Sequence, residues 1–93
     1  MNRYEEVERS IRFLRKTLLK DKLKYYHYLS AGEEVSADRI DGKMTGLLIG
    51  MGELFALLSP EDQAEANVYN DEELELQNKI KEVYMEYLSF LHL

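Results

Sequence analysis

The chain offers few residues from which catalysis is ordinarily built. It has two histidines, His27 and His92, and no cysteine. Thiolate catalysis, disulfides and the usual structural zinc sites are therefore absent, and no His-x3-His or His-Glu-x2-His arrangement is present to seat a transition metal. Ser10, Ser30, Ser36, Ser59 and Ser89 lack the strand-turn-helix context of a nucleophile elbow, so a triad has no parts. Carboxylates remain. Glu72 with Glu75, and Glu82 with Glu86, have helical spacings that put two acids on one side of a helix, where a pair can share a hydrated magnesium ion.

Three other groupings suit binding better than reaction. Arg9, Arg12, Lys16 and Lys20 form a basic stripe, with Tyr25, Tyr26, His27 and Tyr28 at the end of the same helix. Read functionally, Arg9, Arg12, Lys16, Lys20 and Tyr26 make an anion or nucleotide site with an aromatic face for stacking. Read plainly, the stripe is a solvated face paired with Glu5, Glu8 and acidic neighbours. Gly42, Gly46 and Gly50 recur every fourth residue, and each glycine inside a helix costs about 1 kcal/mol relative to alanine. A line of missing side chains admits another backbone. It either packs inside the molecule or, with Leu57, forms a self-association face; a ligand groove or a break in the helix are further readings. Glu61, Asp62, Glu65, Asp71, Glu72, Glu73 and Glu75 make an acidic cluster that could face a basic partner or mimic nucleic acid.

The paired acids resemble those of all-α nucleotide pyrophosphatases, whose carboxylates converge on a magnesium-filled cavity. Here Glu82 and Glu86 flank an apolar seam on its outer side, and Glu72 and Glu75 belong to a capping region, which favours solvated acids. In size, charge and tyrosine-rich helical character the chain also resembles small accessory proteins of bacterial viruses and mobile elements. No motif carries that likeness.

The elements that must hold these groups are helices. Tyr4, Val7, Ile11, Leu14, Leu18, Tyr25 and Leu29 follow three- and four-residue steps and predict a first helix over Arg3 to Ser30, stopped by Gly32. Leu19, Leu23 and Tyr26 form a second apolar line on it, so this helix should touch two neighbours. Ser36 is the expected cap of a second helix, with Val35 and Ile40 as a hydrophobic staple. Ile40, Met44, Leu47, Met51, Leu54 and Leu58 give that helix an unbroken seam, flanked by Leu48 and Phe55 with Ile49 opposite. Apolar on most sides, it is the expected centre of the fold. Ser59-Pro60-Glu61-Asp62 predicts a short helix to about Tyr69. Asn70 caps the last helix with Glu73 in capping-box position, and its seam is Leu76, Ile80, Val83, Tyr87 and Phe90, with Tyr84 and Leu91 beside it.

Composition bounds the rest. Ninety-three residues with 45% hydrophobic and 32% charged side chains suit one globular domain over residues 1–93, an antiparallel all-α bundle of three long helices with one short connecting helix. The polar start and the short apolar run from Met44 to Met51 give no export leader or membrane span, and with no cysteine the expected location is cytoplasmic. Residues 1–30 carry eight Lys/Arg against four Asp/Glu, and residues 31–93 carry four against fourteen, giving −6 overall. That balance disfavours direct nucleic-acid binding. The asymmetry either seats a basic first helix on acidic neighbours or marks two binding surfaces. The sequence thus leads to a non-enzymatic interaction protein, without cofactor or metal, that forms a homo-oligomer and regulates or inhibits a host macromolecule. A small anionic ligand or nucleotide binder, and a magnesium-dependent pyrophosphatase, are the alternatives.

Overall fold

The computed structural model describes residues 3–91 and is all-α, so His92 lies outside the described residues. Helix α1 spans Arg3–Ser30, α2 Glu34–Phe55, α3 Pro60–Ala66 and α4 Asp71–Leu91.

Local chemistry fixes the corners. Gly32, at φ 74°, ends α1 in a left-handed cap. Its N–H donates to the Leu29 carbonyl at 3.1 Å, and the Glu33 N–H to that of Tyr28 at 2.9 Å, which is the Schellman pattern. This tight reversal corrects one expectation. With the Glu33 carbonyl already accepting from Ala37 N–H, α2 starts at Glu34 without a side-chain cap, so Ser36 lies within its first turn. Val35 is exposed and staples nothing. At the next corner Ser59 caps α3 by accepting from the Asp62 N–H at 3.2 Å, with Pro60 in the first turn. The Gln63 amide donates to the Phe55 and Leu58 carbonyls, closing the frayed end of α2 short of the expected Leu58. Helix α3 stops at Ala66 rather than Tyr69, and a capping box then opens α4: Asn70 and Glu73 each accept the other's backbone N–H, at 2.9 and 3.0 Å.

The helix at the centre is α1, not α2. It packs against α2 along one flank and α4 along another, touches α3, and no comparable contact joins α2 to α4 among the described residues. Leu14 lies beside Gly50 and Asp21 beside Lys43, so α2 runs antiparallel to α1. Arg15 meets Glu73 and Tyr26 meets Tyr84 and Tyr87, so α4 runs parallel to it. The double apolar line on α1 thus serves its two neighbours. The result is elongated, 51 × 25 × 19 Å.

The main core gathers at one end, where Val7 and Ile11 of α1 meet Met51, Leu58 and Ala66, with Tyr4, Leu14, Leu18, Leu54 and Phe55 around them. Ile11 and Ala66 are fully enclosed. Truncating Ile11 to alanine there costs about 2–5 kcal/mol. Apolar surface stays open along the whole molecule: Phe90 and Leu91, expected in or beside the last seam, are exposed, as are Leu48 and Ile49 of α2 and Phe13, Leu57 and Val68 elsewhere. No described helix is long and apolar enough to cross a membrane.

Candidate functional site

The outward side of α2 carries the glycine line. A Cβ built on Gly42 or Gly46 meets nothing within 4 Å, and one on Gly50 makes only an ordinary 3.7 Å contact with Leu14 Cδ1. Close packing within the molecule, one of the readings of these glycines, is therefore excluded at Gly42 and Gly46. The helical repeat sends them away from Met44, Leu47, Met51 and Leu54, which are the residues that α2 turns towards α1. Leu57, Val35 and Ile49 lie on or beside this outward strip and are 52%, 68% and 59% exposed. Arg39 and Glu53 share it, both exposed and both without an ion pair among the described residues. Neither charge interrupts the inner seam, so apolar periodicity carries no signal for them.

The basic stripe does not assemble as an anion site. Arg12 donates to Glu8 at 2.8 Å, to Glu73 at 2.9 Å and to the Val68 carbonyl at 3.0 Å. Lys16 pairs with Glu72 at 2.6 Å. Arg9 and Lys20 point elsewhere and are exposed. The basic first helix lies on the acidic start of α4, as the plainer reading of the charge asymmetry requires. Tyr26 is turned towards α4, its ring centroid 5.1 Å from that of Tyr84 and 6.4 Å from that of Tyr87. Burial, followed by these neighbouring phenols, holds its hydroxyl above the usual tyrosine range.

The acidic cluster is divided. Glu61, Glu65, Asp71, Glu72 and Glu75 are exposed, and Asp62 is half-buried at the α3 cap. Glu73, expected to face a partner, is instead 1% exposed. Capping draws it inward, where Arg15 grips both of its oxygens. Arg15 also donates to the Ala66 carbonyl at 2.7 Å and stacks over the Tyr69 ring, 4.4 Å from its centroid. Burial pushes the Glu73 carboxyl up, but hydrogen bonds from Arg15 and the Asn70 N–H, with the charges of Arg15 and Arg12, outweigh it and hold the group below its ordinary value. Arg15 was missed although the signal was present. It sits four residues from Ile11 and four from Leu19, a charge in an apolar position.

A second buried charge, Asp21, faces Lys43, whose Nζ lies 3.1 and 3.3 Å from its two oxygens. Nearby, a groove of ≈ 320 Å³ between α1 and α2 is lined by Lys22, Tyr25, Tyr26, Asp41, Met44 and Leu48. Glu82 and Glu86 are exposed, and no three His, Asp or Glu side chains converge to hold a metal among the described residues. The chain matches no family model, no curated protein and no solved structure.

Proposed function

We propose that this is a non-enzymatic interaction protein that self-associates through the outward face of α2 and acts by contact with other macromolecules. The observation that carries the reading is the uncovered strip over Gly42 and Gly46, bordered by exposed Val35, Ile49 and Leu57. Each glycine in a helix interior costs about 1 kcal/mol relative to alanine, and no contact within the chain offsets that cost at Gly42 or Gly46. Light scattering on the chain and its Gly46→Leu variant tests this. The dimer mass should be lost in the variant while its helical circular-dichroism spectrum is retained; an unchanged mass rejects the reading. The exposed acids Glu61 and Asp71 border a separate surface whose charge suits a basic partner to regulate or inhibit, while Glu72 is already paired with Lys16 and Glu75 with Lys79.

A second reading, binding of a small anionic ligand or nucleotide, is favoured by the groove that brings Lys22 against Tyr25 and Tyr26. A thermal shift with a nucleotide panel, lost on Lys22→Ala, supports it. Flat melts at saturating nucleotide reject it.

A further inference from the structure

A narrow strip on the outward face of α2 is matched about its midpoint, apolar against apolar and positive against negative; Ile49 on its border, whose counterpart is Lys43, is the exception. Val35, Arg39, Gly42, Gly46, Gly50, Glu53 and Leu57 succeed one another in steps of four, three, four, four, three and four residues. Val35 to Glu53 fall within a strip roughly 80° wide on one side of α2, and Leu57 follows in the turn just past its end. Gly46 is its midpoint: Gly42 and Gly50 stand equally far from it, as do Arg39 and Glu53, and Val35 and Leu57. Each of these pairs matches like with like in apolar character, or plus with minus in charge.

From this arrangement we infer that the occupant of the face is a second copy of the chain, its α2 crossing antiparallel with Gly46 on the two-fold axis. The inference rests on the self-association proposed above and adds its register. A two-fold contact requires one patch to complement itself, and this patch does so in one direction only. Run antiparallel, Arg39 of each copy meets Glu53 of the other at both ends, and Val35 meets Leu57 beyond them. Run parallel, Arg39 faces Arg39 and Glu53 faces Glu53, so both ends repel. The antiparallel arrangement also opposes the two helix dipoles. The glycines permit the approach, whereas the two charges choose its direction. Both are exposed and neither has an ion-pair partner in its own chain among the described residues, so the pairing costs no existing contact. A single helix pair is small beside the roughly 1,200–2,000 Å² of a stable interface. The dimer should therefore dissociate on dilution, which sedimentation over a concentration series reads.

Because the chain has no cysteine, single-cysteine variants report the register without background. Arg39→Cys mixed with Glu53→Cys under oxidation should give a covalent mixed dimer, and neither variant alone should cross-link efficiently. Gly46→Cys should cross-link to itself, since only a close crossing brings two such residues within disulfide reach. In sedimentation, Arg39→Glu should weaken dimerisation about tenfold, and Arg39→Glu with Glu53→Arg should restore it, as the reversed charges pair again. Efficient self-cross-linking of Arg39→Cys, or a double variant no tighter than the single one, overturns the register while leaving self-association standing. A chain that stays monomeric at hundreds of micromolar overturns both.

Discussion

Two Arg/Glu pairs, Arg15 with Glu73 and Arg39 with Glu53, meet opposite fates in this molecule. Arg15 and Glu73 come from different helices, are 2% and 1% exposed, and lock the start of α4 onto α1 through the capping box and the Ala66 carbonyl. Arg39 and Glu53 lie on one helix, fourteen residues apart, exposed and unengaged, flanking glycines with empty space over them. The first pair uses its charges to define the fold. The second leaves its charges exposed and unpaired within the described residues, as the proposed docking would require; what separates the two cases is burial and whether the chain can bring the partners together.

The contrast is broken most severely at the buried pair. Arg15→Ala leaves a carboxylate enclosed without its main counter-ion and should cost about 3–5 kcal/mol of stability. Chemical denaturation measures it; a loss below about 1 kcal/mol would mean that water or Arg12 replaces Arg15, and that the node is not structural. The same pair carries a pH dependence of fixed sign. Because Glu73 is held below its ordinary value of 4.5, its contribution is complete above that pH and disappears as pH falls through the depressed folded value. Melts of the chain and of Glu73→Gln from pH 7 to 3 should converge at the acid end; parallel curves throughout would contradict this. Asp21 and Lys43 are an intermediate case, the acid buried and the lysine side chain 55% exposed. Lys43→Ala leaves Asp21 enclosed without its counter-ion and should cost about 1–3 kcal/mol, below the cost of Arg15→Ala because the exposed lysine position lets water reach the acid. At the open face the sign reverses. Gly46→Leu should stabilise the isolated monomer by up to about 1 kcal/mol, because a better helix former enters empty space, while abolishing the dimer. Destabilisation of the monomer would show that Gly46 is covered within the chain.

What the sequence disclosed follows the same division between local and distant causes. Gly32, Ser59-Pro60 and the Asn70–Glu73 box act through neighbouring backbone groups, and each was readable without knowing the fold. So was the second apolar line on α1, since two stripes on one helix demand two neighbours. Helix α2 was misplaced at the centre because its apolar surround invites burial, and periodicity does not say which of two greasy helices has neighbours on both flanks. Glu73 was recognised as a cap yet also counted among outward acids. Its burial depends on Arg15, fifty-eight positions away and overlooked in a seam of aliphatic residues. The empty space over Gly42 and Gly46 was beyond a one-dimensional pattern, which marks a face without saying what lies against it.

Self-association rests on a second copy meeting α2 across its bare side. Sedimentation equilibrium from about one to several hundred micromolar, bracketing the modest affinity expected of one helix pair, tests it directly. It predicts a mass rising with concentration from 11.0 kDa towards twice that value and stopping there. A mass fixed at that of one chain across the range, or growth past two chains without a plateau, would contradict a closed two-fold pairing.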